Sequence, residues 1–177
     1  MEISNDQLLK VIENTPLVSI DLIVKNKEEK ILLGIRKNEP AKNTWFVPGG
    51  RVRKDEDLDI AFTRITKNEL GLDCTRDQAQ FIGIFEHKYT TNFLERPGIS
   101  THYIVIAYEI KPLTNPENFY NIQHQEYRWF SADDALKHNS NVHQNAQLYF
   151  KQHLTDDQNK SLNARRDSFQ EENPFRD

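Results

Sequence analysis

One stretch constrains this chain more than any other: Trp45 to Leu72, where a Pro-Gly-Gly turn runs into a helix with an acid in its apolar stripe. Pro48 fixes its own φ, and Gly49-Gly50 permit backbone geometry closed to other residues. Asp55, Glu56 and Asp57 put negative charge where a helix N-terminus favours it. Leu58, Ala61, Phe62, Ile65 and Leu72 fall at helical spacings and form one apolar stripe. Leu70 closes the helix, and Gly71 suits a left-handed terminator. Glu69 follows Ile65 by four residues and Phe62 by seven, which projects it into that stripe. An ionised carboxylate facing a core is costly unless a cation or strong donors meet it. Glu69 is therefore either an acid snorkelling from the stripe's end or a metal ligand. The loop favours the ligand. Its glycines let backbone carbonyls and amides approach a bound group, Arg51 follows at once, and Arg64 lies on the helix flank. These parts suit a site for Mg²⁺ and a phosphate chain.

The 177 residues make one domain the default, and residues 1–154 carry all the strong patterning. From residue 155 to 177 the chain is almost wholly polar, and scattered apolar residues such as Leu162 and Phe169 show no periodicity, so this tail should not build a core alone. Charged residues are 28% and the mean hydropathy is −0.77, so a soluble chain is expected. No apolar run reaches the ~18 residues of a membrane span. The first residues lack the basic and apolar regions of a signal peptide. Cys74 is the single cysteine and has no internal partner, which suits a reducing, cytoplasmic setting. The net charge of −4, with no basic cluster, argues against nucleic acid as a partner.

In chain order, Ser4 and Gln7 form a capping-box pattern for a short helix that Thr15-Pro16 stops. Leu17 to Lys25 reads as a strand with Val18, Ile20, Leu22 and Val24 on one face, and Asp21 on the other. Asp in mid-strand is unfavourable, so Asp21 either faces solvent or has a function. Ile31 to Arg36 reads as the return strand of a hairpin, and Trp45-Phe46-Val47 as a short strand entering the glycine loop. Phe81 to Tyr89 reads as a strand with Phe81, Phe85, His87 and Tyr89 on one face. Thr101 to Lys111 and Tyr127 to Phe130 are further strands. Ser131 caps a helix to about His138, and a last helix runs from about Val142 to Leu154. The expected fold class is α+β, a mixed β-sheet between helices.

The central stretch resembles the Nudix box of nucleoside diphosphate hydrolases, whose pattern is matched at Gly50, Glu56, Arg64, Glu69, Gly71 and Leu72. It departs from that pattern at Ile65 and Asn68, which replace glutamates, and at Thr66, which replaces an apolar residue. Similar losses occur in the GDP-mannose mannosyl hydrolase subfamily. The resemblance to it extends to Thr15–Ser19, Trp45–Val52, Thr101–Tyr103, Gln123-His124, Tyr127–Trp129 and Asn141–His143. It implies the Nudix α/β/α sandwich and one Mg²⁺ per subunit held by the Gly49 carbonyl, Glu69 and Gln123. It also implies His124 as general base. Arg36, Arg51, Arg64 and Tyr103 then stabilise a leaving diphosphate, and Asp21 and His87 complete the site near the sugar. A GDP-sugar substrate and a homodimer are likewise implied.

The losses make chemical sense under that resemblance. Attack on phosphorus needs several carboxylates, whereas attack on the anomeric carbon with a nucleoside diphosphate leaving group needs no separate acid. One base suffices, and histidine suits it near neutral pH. Without the resemblance, His124 in its polar run reads as a solvated loop residue, Arg36 as an exposed strand end and Tyr103 as strand packing. His102, His138, His143 and His153 show no metal spacing and read as structural. The competing activity is a Nudix pyrophosphohydrolase that attacks phosphorus; a nucleotide-sugar binding module without turnover is the non-enzymatic alternative.

Overall fold

The computed structural model describes residues 3–112 and 124–151. Helix α1 (Asn5–Asn14) starts at Ser4, whose hydroxyl accepts from Gln7 N at 3.3 Å while the Gln7 side chain accepts from Ser4 N at 2.9 Å. Strands β1 (Leu17–Val24), β2 (Ile31–Arg36), β3 (Trp45–Phe46) and β4 (Gly49–Arg51) follow. Helix α2 (Leu58–Leu70) ends at Gly71, which sits at φ 66°, so the left-handed terminator forms as the sequence indicates. Then come a 3₁₀ turn (Arg76–Gln78), β5 (Gln80–Tyr89), β6 (Thr101–Ile110), β7 (His124–Phe130) and α3 (Ala132–Leu136), capped by Ser131. Residues 144–151 are helical and form α4.

The strands form a four-stranded mixed sheet, β4-β1-β6-β5, and a three-stranded antiparallel sheet, β3-β2-β7. Strand β1 runs parallel to β6, with Leu17 opposite Tyr103, and antiparallel to β4, with Asp21 opposite Gly49. Two apolar clusters lie on either side. Ile20, Leu22 and Val24 join Phe62, Ile65 and Leu70 of α2 in one. Ile23, Trp45, Phe130, Tyr149 and Phe150 form the other. Helices therefore cover both faces of an α+β layered core, as the pattern predicted.

Four local expectations need correcting. β1 and β2 are not a hairpin. Beyond the isolated Lys25–Ile31 bridge they diverge into different sheets, because β1 takes β4 and β6 as neighbours. Gly49–Arg51 is not loop but strand β4. A Cβ on Gly49 would stand 2.6 Å from the Ile20 carbonyl oxygen, so only glycine allows this approach. Phe81 does not share a face with Phe85 and His87. An irregularity between Phe81 and Gly83 flips the alternation, leaving Phe81 against Tyr108. Strand β7 also starts three residues ahead of the predicted Tyr127.

Candidate active site

A cleft of about 360 Å³ opens between α1, the ends of β1 and β6, and the turns around β4. Among its walls are Asp21, Arg36, Gly49, Arg51, His87 and Tyr103, six of the residues singled out from sequence. β1 brings Asp21, β4 brings Gly49 and Arg51, β5 and β6 bring His87 opposite Tyr103, and β2 ends at Arg36. Phe93 joins them from the loop after β5, and the buried Asn92 ties that loop together. Its amide donates to the Arg96 and Ile99 carbonyls at 2.8 Å each, and its oxygen accepts from Leu94 N and Arg96 N.

The floor is buried. Asp21 is 7% exposed and His87 2%. Burial pushes the Asp21 carboxyl up to about 7, against the opposing pull of the Tyr149 hydrogen bond and the Arg36 charge. Burial also holds His87 down to about 4, with a smaller contribution from His143. His87 is therefore neutral, and its Nδ1, 4.0 Å from Asp21 Oδ2, makes no ion pair. The buried His87 Nε2 has no hydrogen-bond partner among the described residues. Tyr103 is raised by burial, opposed by Arg36 and Arg51. The Nε of Arg36 donates to the Pro40 carbonyl at 2.8 Å, and its guanidinium lies 5.9 Å from the Phe46 ring centroid.

Arg64 stands apart from these walls. Its Nε and Nη2 donate to the two Glu56 carboxylate oxygens at 2.6 and 2.7 Å, and Nη2 reaches the Arg51 carbonyl at 3.0 Å. This forked pair pulls Glu56 down to about 2 and locks the turn after β4 onto α2. Glu69 is buried in α2 at 4% exposure, and its backbone carbonyl accepts from the Tyr127 hydroxyl at 3.4 Å. Gln123 lies outside the described residues. For His124 only the backbone is described: it opens β7, opposite Arg36.

The substituted box positions have distinct surroundings. Ile65 is 1% exposed, and a Cβ on Gly50 would come within 3.1 Å of it. Thr66 is fully buried, with its hydroxyl in reach of the Phe62, Thr63 and Cys74 carbonyls at 3.1, 3.0 and 3.3 Å. A hydroxyl so placed is satisfied without solvent. Asn68 faces solvent.

Sequence reasoning missed Tyr149. Its hydroxyl donates to Asp21 Oδ2 at 2.6 Å, yet in the sequence it reads as one more apolar position of the last helix. His143, read as structural, packs against Phe46 and Tyr89 with ring centroids 5.5 and 5.3 Å apart.

Comparison with known proteins bears on the family and the fold. The NUDIX domain profile matches residues 15–152. The low-salt glycan biosynthesis protein Agl8 of Haloferax volcanii is 45% identical over 109 residues, 61% of this chain and 67% of that protein. An ADP-ribose pyrophosphatase of Methanocaldococcus jannaschii is 44% identical over 57 residues, but this covers only 32% of this chain and 33% of that protein. The fold is shared with a MutT protein from Methanosarcina mazei at 19% identity and TM-score 0.62, covering 81% of this chain and 97% of that one. It is also shared with the NUDIX domain of Shewanella oneidensis NrtR complexed with ADP ribose, at 14% identity and TM-score 0.60, covering 86% and 98%. With its profile match and its layered core, this chain belongs to the Nudix family of hydrolases.

Proposed function

We propose that this Nudix hydrolase cleaves a GDP-hexose, GDP-mannose first, by water attack at the anomeric carbon, releasing GDP and free hexose with inversion. The observation that carries this reading is Ile65. Where the Nudix box has a glutamate, this chain has a side chain 1% exposed and packed beneath Gly50. A site short of carboxylates is poorly equipped to assemble several metals for attack on phosphorus. It is adequate where the leaving group already tolerates negative charge. The Haloferax relative named for glycan biosynthesis supports a sugar nucleotide.

Nudix hydrolases generally use divalent metal ions. Among the described residues no group of three His, Cys, Asp or Glu side chains could hold one. Of the donors the resemblance implies, the Gly49 carbonyl and the buried Glu69 carboxylate are oxygens of the kind Mg²⁺ takes, Gln123 lies outside the described residues, and diphosphate oxygens would fill the rest of the shell. One Mg²⁺ bound there would neutralise charge on the departing diphosphate.

The chain's own residues do the rest. Arg36 and Arg51, both on the cleft wall, bind the diphosphate. Tyr103 orients it. Arg64 acts by holding the Arg51 backbone through its carbonyl. Asp21 and His87, on the buried floor, receive sugar hydroxyls. His124 takes the proton from water as the new carbon–oxygen bond forms, and the electron pair of the broken bond leaves on the diphosphate oxygen. We place this reaction in a cytoplasmic homodimer on the resemblance.

The test is turnover of GDP-mannose with Mg²⁺ in ¹⁸O-water, read by mass spectrometry. Label in the free hexose is expected. Label in a phosphate product would identify a pyrophosphohydrolase instead, and absence of turnover would leave a binding module.

A further inference from the structure

We infer that Tyr149 is a positioning residue for Asp21, its phenol fixing the carboxyl on the cleft floor so that it meets a substrate hydroxyl in one orientation. The inference rests on the function proposed above and adds to it a residue from α4 that does not line the cleft.

Tyr149 has two separable parts. Its ring is fully buried core, edge-on to Phe85 at 5.0 Å and 6.1 Å from the His87 ring. A phenylalanine would pack there equally well. Its hydroxyl does something else: it reaches across 128 residues of sequence to donate to Asp21 Oδ2 at 2.6 Å. The other carboxylate oxygen, Oδ1, lies beside Gly49, where a Cβ would come within 2.8 Å of it. The carboxyl is thus held from behind by a donor and at the side by β4, leaving only its cleft aspect for a ligand. His87 does not compete for Oδ2, since it is neutral and 4.0 Å away. Its buried Nε2 has no hydrogen-bond partner among the described residues.

A hydrogen bond to a carboxylate biases one orientation over others by roughly 10–100-fold. Removing it should lower kcat with a smaller change in KM, because the diphosphate-binding arginines are untouched.

The experiment is a double-mutant cycle of Tyr149→Phe and Asp21→Asn, with steady-state turnover of GDP-mannose as the readout. Thermal melting and GDP affinity serve as checks on folding. Tyr149→Phe is expected to lower kcat about tenfold or more with KM within about threefold. In the Asp21→Asn background the same change should cost less than twofold. Should Tyr149→Phe not fold, 3,5-difluorotyrosine at position 149 keeps the ring and hydroxyl, adds two small fluorines beside it and makes the phenol a stronger donor. Its kcat should then differ from that of the unaltered protein when Asp21 is present and not in Asp21→Asn. Equal losses in both backgrounds would overturn the inference while leaving the proposed reaction intact. No hexose release by the unaltered protein would overturn both.

Discussion

Glu56→Gln should destabilise the protein at neutral pH and not in acid. The side chains of Glu56 and Arg64 are 10% and 22% exposed, and their fork has contacts of 2.6 and 2.7 Å. Arg64 draws the Glu56 carboxyl from its ordinary 4.5 down to about 2. At about 1.4 kcal/mol per tenfold, that is roughly 3 kcal/mol of pairing at pH 7 as an upper bound. Partial solvent screening leaves about 1–3 kcal/mol. A carboxyl whose folded value is lowered contributes fully above its unfolded value, near 4.5, and loses that contribution as pH falls towards 2. The variant should therefore unfold about 3–10 °C below the parent at pH 7, and the two should converge near pH 2. Thermal and urea unfolding followed by circular dichroism at both pH values measure this. A gap of the same size at pH 7 and near pH 2, or none at pH 7, would refute the assignment of this energy to the ion pair.

Two further outcomes bear on the site. Gly49→Ala puts a methyl 2.6 Å from the Ile20 carbonyl and 2.8 Å from Asp21 Oδ1, so β1 and β4 must part. A loss of several kcal/mol in urea unfolding and of most turnover is expected, while Gly71→Ala, with open space around it at φ 66°, should cost only about 1 kcal/mol. His124→Gln should lower kcat by roughly 10²–10⁴ with GDP affinity retained in calorimetry; an unchanged rate would remove it from the mechanism.

Much of this was legible in the sequence, for reasons that are local. The stripe of Leu58, Phe62 and Ile65, with Gly71 behind it, specifies α2 because each signal lies within a few residues of the next. Of the six implied site residues that share the cleft, Gly49 and Arg51 lie within the motif, while Asp21, Arg36, His87 and Tyr103 reach it from β1, β2, β5 and β6 and were assigned to it only through the resemblance. What was not legible depends on distant pairing. Nothing in Leu17–Arg36 says that β1 prefers β6 to β2, since that choice is made by residues some 80 positions later. The irregularity before Gly83 leaves the alternation of β5 intact on paper and broken in the sheet. Asp21 gave a signal, an acid in mid-strand, but its donor Tyr149 gave none, because a buried phenol and a buried phenyl ring occupy a helix stripe alike.

The Asp21–Tyr149 bond also has a consequence for biosynthesis. Asp21 is made early, but its donor lies on α4, so a nascent chain halted before that helix emerges from the ribosome carries an unsupported acid in an apolar trough. Competence for chemistry should thus arrive in one late step, and fragments released prematurely should be both idle and prone to proteolysis.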